Sequence, residues 1–410
     1  MTSIDTAAFS AQTSDDVAKR AALADVLLRS DQGVEQSAAI EAPRQPGAGP
    51  RGLPIVDWTA TGEPGLAPQV LQFPRPKPGQ PGGWLHSDPL PKADVVVMTW
   101  TSAEWDALHY VFSDRLSPLP NNPDRNGVWR AEWYPYRRDF YTIYQALWTR
   151  RLVSAARNRP GGAPALGDEQ WGSFALVSVG SKKVLLFKSD LHINQDGESI
   201  PLEQLIKQIV EDCNPDLLLS VGTAGGVRPT DVLGDVVVTN AARFRLGDEF
   251  ESARYNGTTY VCGTWTPPSR YAQAAGRLLI PVAESDALPP TAHYPAGTVI
   301  RALPPRGPQI HLLPNTPILT TDFFEYGTTT NGLDREGCCV EMDDAVVARV
   351  CSGINPQQKY GFLRNVSDPV INGLLPRELQ TAWAVMTYQL KGLYTSYNSA
   401  IATWAMIAGS

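Results

Sequence analysis

Residues 217–226 read Leu-Leu-Leu-Ser-Val-Gly-Thr-Ala-Gly-Gly, and this stretch decides the fold class. Its first half, 217–221, is a short apolar run of the kind that forms a buried strand of a parallel sheet. The glycine-rich half, 222–226, is predicted to turn at the end of that strand, where the backbone can approach a ligand closely. The pattern is neither a P-loop nor a dinucleotide-binding fingerprint. Taken alone, the turn favours a structural role and a ligand-binding role equally.

Strands and helices alternate on both sides of this stretch. Short apolar runs predict strands at residues 95–98, 174–179, 183–188, 234–239, 317–321 and 360–366, and a strand that becomes a helix within 338–351. Helical periodicity predicts helices at residues 103–112, 201–213, 269–283 and 376–407. The expected fold is α/β, with three α/β/α layers and a mostly mixed central sheet covered by helices on both faces.

Two segments fall outside this alternation. Residues 1–92 hold one short amphipathic pattern at 15–30 and are otherwise rich in proline and glycine, which predicts a linker or an arm that wraps over the domain. Residues 113–172 interrupt the domain at 93–410 with many aromatic and arginine side chains. A surface helical hairpin packed by its aromatics and a lid whose arginines meet phosphate groups both fit this insertion.

Composition argues against several classes of protein. The net charge of −7 disfavours general nucleic-acid binding, although it allows a local cationic pocket for a small anion. The five cysteines include no Cys-x-x-Cys pair and predict reduced, mostly buried thiols rather than a zinc site or a disulfide framework. No secretory signal and no apolar run long enough for a membrane span are visible. We therefore expect a cytoplasmic protein that binds neither nucleic acid nor membrane.

Two carboxylates follow predicted strands, at the edge where α/β sheets place their ligands. Glu104 comes just after the strand at 95–98. It is suited to hold and activate a water molecule, or else to stabilise the first turn of a helix. Asp368 follows Ser367 at the end of the strand at 360–366. Burial there would raise its pKa so that it donates a proton; a turn residue or helix N-cap is the alternative.

An acidic cluster follows another predicted strand. Glu341, Met342, Asp343 and Asp344 set three carboxylates around one methionine. Carboxylates can accept hydrogen bonds from both hydroxyls of a ribose, and methionine can pack on the sugar ring. A metal site is the competing use of such a cluster, but the sequence lacks further regularly spaced oxygen ligands. The cluster is therefore predicted to bind a sugar and no metal.

Together these segments resemble the nucleoside phosphorylase/uridine phosphorylase superfamily, and within it the methylthioadenosine/S-adenosylhomocysteine nucleosidases. The similarity covers residues 93–409 apart from the insertion. It is carried by residues 214–226, 234–238, 242–244, 340–343 and 364–368.

The resemblance implies hydrolysis of the N-glycosidic bond of a purine nucleoside or nucleotide. Asp368 would protonate N7 of the purine while Ser367 steadies the carboxyl group, and Glu104 would orient the attacking water. Met342 would pack on the ribose, Asp343 would bind its hydroxyls, and an aromatic of 322–324 would stack on the base. The implied substrate-binding residues are Thr223, Ala224, Gly225, Phe323, Phe324, Glu341, Met342 and Asp343. The family implies no metal, no organic cofactor and a homo-oligomer.

The sequence departs from the family in the residues that meet the sugar and the nucleophile. Asp343 stands where the family has glutamate and is one methylene shorter, so ribose contact would need a shifted sugar or help from Asp344. The hexameric phosphorylases carry an early Gly-Asp-Pro-x-Arg segment and an arginine before the glycine turn. Here residues 99–102 and Ser220 stand in those places, which favours water over phosphate as the nucleophile.

The sequence leaves open which group the substrate carries at its 5′ position, and several arginines bear on this question. Arg137, Arg138 and Arg150 of the insertion, or Arg243 of the main domain, are candidates to meet a 5′-phosphate chain. Two alternatives to the hydrolase stand beside it. One is a phosphate-dependent purine nucleoside phosphorylase, and the other is a non-catalytic nucleoside-binding or storage protein on the same scaffold.

Overall fold

The computed structural model describes residues 53–73, 87–113, 133–139, 171–191, 201–248, 250–283, 299–301 and 304–410. The predicted helix at 15–30 and most of the insertion, including Arg150, lie outside these residues. Within them, the chain forms one large mixed sheet with packed helices, so the predicted α/β fold is confirmed.

The sheet contains thirteen strands in the part of the chain that the structure describes. They are β1 (Gln69–Val70), β2 (Val95–Thr99), β3 (Tyr134–Tyr136), β4 (Gly172–Val179), β5 (Lys182–Ser189), β6 (Leu217–Gly226), β7 (Val236–Thr239), β8 (Ala241–Phe244), β9 (Thr259–Val261), β10 (Ile310–Leu312), β11 (Ile318–Thr320), β12 (Cys339–Glu341) and β13 (Lys359–Asp368). The α-helices are α1 (Ser102–Phe112), α2 (Pro201–Cys213), α3 (Ala272–Gly276), α4 (Asp344–Ile354) and α5 (Arg377–Gly409).

Strand β6 organises the sheet. It pairs in parallel with β2 and β13 and, at its carboxyl end, antiparallel with β12. The longest path through the sheet runs β1-β4-β5-β2-β6-β12-β11-β8-β9. Helices α1 and α5 pack on each other, α5 also lies against β6 and β13, and α2 packs on α4. Because parallel strands point the same way, the carboxyl ends of β2, β6 and β13 meet at one edge of the sheet.

The glycine-rich residues 222–226 form the second half of β6, so the predicted turn is wrong. Their backbone pairs with β13 along Gly222–Gly225 and with β12 at Gly225 and Gly226. None of these glycines has a positive φ. They are required for space: a Cβ on Gly222 would collide with Arg364 Nη1, and one on Gly225 would lie 2.9 Å from Asp368 Oδ2. Gly222 and Gly225 therefore make room for buried charged side chains.

Two helix predictions need correction. The helix expected at 269–283 is only the short α3, which ends at Gly276, a residue type that disfavours helical backbone. Further along the chain, the Asn398 side chain binds both the N–H and the carbonyl of Ile280, which lies directly before Pro281. The insertion, expected to be helical, contains the buried strand β3. Pro135 is tolerated there because β3 pairs with β4 alone among the described strands and lies at an edge of the sheet that they form.

Part of the proline-rich N-terminal segment packs on the domain. Strand β1 extends the sheet by pairing antiparallel with β4. The Trp58 and Trp404 rings lie 5.0 Å apart, and the Trp404 indole N–H donates to the Leu66 carbonyl at 2.7 Å. Leu53, Val56 and Trp58 belong to the same buried cluster as the sheet. Residues 53–73 are therefore a packed part of the fold, while the boundary drawn at residue 92 stays a prediction.

All five cysteines are buried, and none forms a disulfide. Along the described stretches, no helix combines the length and the apolar character needed to cross a bilayer.

Replacing Trp58 with alanine should lower the free energy of unfolding by about 3 kcal/mol, because the packed indole is lost and a cavity remains. Ile55, in the same segment, is 49% exposed and supplies the matched control. Ile55→Ala should change stability by less than about 0.5 kcal/mol. Urea unfolding followed by circular dichroism measures both. Equally small effects would show that this segment does not contribute to the folded domain.

Candidate active site

An open cleft lies at the sheet edge where β2, β6 and β13 end, and it holds about 710 Å³ of space when the solvent at its mouth is included. Ten of the residues predicted for the site line it: Glu104, Thr223, Ala224, Gly225, Phe324, Glu341, Met342, Asp343, Ser367 and Asp368. Seven further residues complete the lining: Trp100, Thr101, Thr321, Glu325, Val340, Arg364 and Tyr388. Segments far apart in the sequence therefore converge on one cavity, as the topology of the sheet requires.

Asp368 is a buried carboxyl group of the cleft with one hydrogen-bond partner among the described residues. The side chain is 3% exposed, and Oδ1 accepts a hydrogen bond from the Ser367 hydroxyl at 2.9 Å. Oδ2 is buried beside Gly225 and accepts no hydrogen bond from the described residues. Burial raises the pKa of Asp368 to about 7, against the smaller lowering effect of Ser367. Asp368 ends β13 and precedes no helix directly, so it is not an N-cap.

Glu104 is a carboxylate whose hydrogen-bonding capacity is filled. Oε2 accepts from the Thr99 hydroxyl and from the backbone N–H groups of Trp100 and Thr101, at 3.0, 2.8 and 2.9 Å. Oε1 accepts from the N–H and the hydroxyl of Thr223, at 2.7 and 2.8 Å. Burial alone would raise the pKa of Glu104, but Arg364 and these donors outweigh it and hold the pKa below its ordinary value.

The contacts of Glu104 bear on both roles that the sequence allows. Its bond to the Thr101 N–H stabilises the start of α1, which is the helix role. Its bonds to Thr223 tie α1 to β6, across the floor of the cleft. A carboxylate that accepts five donors can hold a water molecule only if one of them moves away.

Arg364, on β13, is a buried cation at the floor of the cleft. Its side chain is 2% exposed. Nε donates to Asp344 Oδ2 at 2.8 Å, and Nη2 donates to Asp344 Oδ1 at 2.5 Å. Nη2 also lies 2.9 Å from Glu341 Oε2. Burial opposes the charge of Arg364, but Asp344 and Glu341 more than compensate, so its pKa stays well above the ordinary value. Both carboxylate oxygens of Asp344 are thus bound to Arg364. Asp344 is therefore not free to bind the ribose hydroxyls, the role that the sequence suggested for it beside Asp343.

Glu341 and Asp343 lie on the side of the cleft formed by β12 and the start of α4. Glu341 accepts hydrogen bonds from the Thr320 hydroxyl at 2.5 Å and from the Asp343 N–H at 2.6 Å. Burial, followed by the neighbouring Asp344, raises the pKa of Glu341 to about 8. Asp343 is 2% exposed and lines the cleft beside Met342.

Aromatic side chains line the remaining wall. Phe324 and Tyr388 border the cleft, as does Trp100 from the end of β2. Phe323 is buried beside Gly247 and is not among the lining residues, so of the two phenylalanines expected near a base only Phe324 lines the cleft.

Of the arginines expected to meet phosphate, the three that the structure describes, Arg137, Arg138 and Arg243, do not line the cleft. Arg138 instead forms an ion pair with Asp212 near the end of α2. Arg150 lies outside the described residues.

Several lining residues escaped prediction, for different reasons. Arg364 had a usable signal, because an arginine inside an apolar strand must be paired when it is buried. Glu325 lies next to Phe324, and its carboxylate is held by Arg245 at 3.1 Å. Tyr388 comes from the middle of α5 and had no local signal, since only the packing of α5 brings it to the cleft.

No protein-family model matches the sequence. The structure is similar to that of 5′-methylthioadenosine/S-adenosylhomocysteine nucleosidase from Neisseria meningitidis in complex with methylthio-immucillin-A, with 13% identity and a TM-score of 0.40 over 77% of this chain and 100% of that chain. It is also similar to futalosine hydrolase of Helicobacter pylori, with 12% identity and a TM-score of 0.42 over 76% and 96%. The same type of nucleosidase from Colwellia psychrerythraea, in complex with adenine, has 12% identity and a TM-score of 0.38 over 78% and 96%. At these values the likeness decides neither activity nor substrate, which must be argued from the cleft.

The Asp368→Asn variant should be more stable than the wild type at pH 8. The folded-state pKa of Asp368 is about 7, above its ordinary 3.8, so between these values the folded protein keeps a proton that the unfolded chain has lost. Wild-type stability therefore falls as pH rises from about 4 to about 7, by an amount on the order of 2 to 4 kcal/mol, and asparagine removes this loss.

Urea unfolding of both proteins at pH 5 and pH 8 measures the difference. The control is Asp334→Asn, which removes an exposed carboxylate and should leave the pH dependence unchanged. A variant that loses stability at pH 8 would show that Asp368 is not held in a raised-pKa site.

Proposed function

We propose that this protein hydrolyses the N-glycosidic bond of a purine nucleoside or nucleotide, releasing the free base and ribose or ribose phosphate. The observation that carries the proposal is Asp368, a buried carboxyl group with a pKa of about 7 and one uncommitted oxygen in the cleft. Such a group holds a proton near neutral pH and can donate it to a leaving group. The proposal places this activity in residues 93–410, with a three-layer α/β/α arrangement.

Base departure is the step that Asp368 would assist. A purine leaves poorly as an anion, and a proton on N7 lets it leave as a neutral base. The C1′–N9 electron pair then moves into the base as the bond breaks. Ser367 would steady Oδ1 so that Oδ2 presents the proton, while Phe324 and Tyr388 offer flat apolar surface for the ring.

The electrostatics of the cleft favour the sugar cation that this step creates. Glu104 and Asp343 line the cleft, while Arg364, the one cation among the described lining residues, is paired with the buried Asp344. An oxocarbenium ion carries positive charge at C1′ and O4′. Fixed carboxylates close to that charge stabilise the transition state more than the neutral ground state.

Water is the proposed nucleophile, and a movement of the Thr223 hydroxyl would make room for it beside Glu104. Glu104 can accept a hydrogen bond from water once the Thr223 hydroxyl rotates away from Oε1, because this hydroxyl lines the cleft whereas Thr99 is fully buried. Water adds to C1′ and its proton passes to Glu104. A water bonded to an oxocarbenium carbon is strongly acidic, so even a carboxylate of low pKa suffices as the base.

The ribose would lie against the acidic wall of the cleft. Asp343 is proposed to accept hydrogen bonds from the sugar hydroxyls, and Met342 to pack on the ring. Glu341 holds the Asp343 backbone at 2.6 Å and would fix the direction of that carboxylate.

Incubation with adenosine, inosine and AMP should release free base from at least one of them without added phosphate. Chromatography separates base, ribose and ribose phosphate. Base release that requires phosphate would replace the hydrolase with a phosphorylase. No base release from any purine nucleoside or nucleotide would favour the nucleoside-binding alternative.

Asp368→Asn should lower kcat by roughly 10² to 10⁴, the usual contribution of a general acid. Wild-type kcat should also fall about tenfold per pH unit above pH 7, because the acid form of Asp368 disappears there. The Asp334→Asn control should keep both the rate and the pH profile. If Asp368→Asn retained the wild-type rate, another group would have to be the acid.

A further inference from the structure

The guanidinium of Arg364 has an unusual set of partners for a cation that lines a reaction cleft. Asp344 binds it through two parallel hydrogen bonds, at 2.8 and 2.5 Å. The Ser220 hydroxyl donates to Asp344 Oδ1 at 2.5 Å, and Ser220 Oγ accepts from Arg364 Nη2 at 3.2 Å. The Trp100 indole N–H donates to the same Oγ at 3.1 Å. Asp344 and Ser220 are 0% exposed, so water does not weaken these bonds.

This arrangement leaves little of Arg364 for a ligand. Nε and Nη2 are occupied by Asp344, Ser220 and Glu341. Nη1 remains, with only a long hydrogen bond of 3.4 Å to the Thr223 carbonyl. The positive charge is also balanced by the carboxylate of Asp344 on one side and by Glu104, held ionised, on the other.

Two nucleophiles can in principle complete the proposed reaction. Water would give free ribose, forming a C1′–O bond as C1′–N breaks and losing its proton. Phosphate would form the same bond with one of its own oxygens and give a sugar 1-phosphate. Phosphate must bring its negative charge into the cleft, and it therefore needs an available cation. Water carries no charge and needs none.

We propose that Asp344 selects water over phosphate as the nucleophile, by holding and neutralising Arg364 at the floor of the cleft. This inference rests on the proposed hydrolase function. Asp344 does not touch the reacting atoms in this scheme and is a positioning residue that acts through Arg364. Ser220 supports it by fixing the orientation of the Asp344 carboxylate.

The test compares the wild type with Asp344→Asn, which keeps the shape and one acceptor but removes the charge. Base release and sugar products are measured with and without inorganic phosphate, at constant ionic strength set by sodium chloride. The wild type should show equal rates and yield free ribose, or ribose phosphate from a nucleotide, with no sugar 1-phosphate. The variant should bind phosphate roughly tenfold or more tightly, seen as sugar 1-phosphate or as phosphate inhibition. Phosphate should also raise the Tm of the variant and not that of the wild type.

The Ser220→Ala variant distinguishes the effect of the Asp344 charge from the effect of disturbing the surrounding hydrogen bonds. It disturbs the same network but leaves the Asp344 charge in place, so it should remain indifferent to phosphate. Circular dichroism establishes that each variant is folded. If Asp344→Asn does not fold, Asp344→Ala is the second variant. It removes the same charge from the same guanidinium and should also admit phosphate.

The outcomes distinguish this inference from the function on which it rests. A wild type that releases no base contradicts the proposed function. A wild type that hydrolyses its substrate while a folded Asp344→Asn ignores phosphate, in both products and Tm, overturns the role of Asp344 and leaves the hydrolase intact. Equal phosphate sensitivity in Ser220→Ala would also overturn it, since packing rather than charge would then decide the nucleophile.

Discussion

The buried ion pair between Arg364 and Asp344 is the constraint on which the centre of this molecule depends. A guanidinium that is 2% exposed is tolerable only if carboxylates reach it with good geometry. Asp344 begins α4, Glu341 ends β12, and Arg364 lies on β13. These elements must therefore meet in one register, with β6 between β12 and β13. Breaking the pair would leave a buried charge uncompensated, so the same contacts that shape the cleft also specify the sheet.

Gly222 and Gly225 of β6 are required because charged side chains of the cleft lie directly beside them. A side chain at Gly222 would occupy the space of Arg364 Nη1 and approach Glu104 Oε1 to 2.8 Å. One at Gly225 would approach Asp368 Oδ2 to 2.9 Å. A glycine-rich stretch after an apolar run is usually interpreted as a loop that approaches a ligand. Here the close approach is real, but it is made by the protein's own charged side chains against an extended strand.

Sequence patterns within a segment predicted the strands and helices that depend mainly on that segment. The apolar runs of β2, β5 and β13 and the periodicity of α1, α2 and α5 identified these elements to within about two residues, as is usual for such boundaries. Contacts between segments that lie far apart in the sequence could not be predicted from it. Nothing near Tyr388 shows that α5 turns it towards the cleft, and only pairing of β13 with β6 brings Arg364 beside Glu104. The carboxylates of the site were identified because they follow strand ends, whereas the partners that set their protonation come from other segments.

Those partners explain how one cleft can hold carboxyl groups in opposite states. Glu104 is as deeply buried as Asp368, at 2% and 3% exposure, so burial alone does not distinguish them. Glu104 accepts five hydrogen bonds and feels the charge of Arg364, and its pKa is lowered. Asp368 accepts one hydrogen bond, and its pKa is raised to about 7. An acid and a base require such a difference, and it arises here from the number of donors and the position of a single cation.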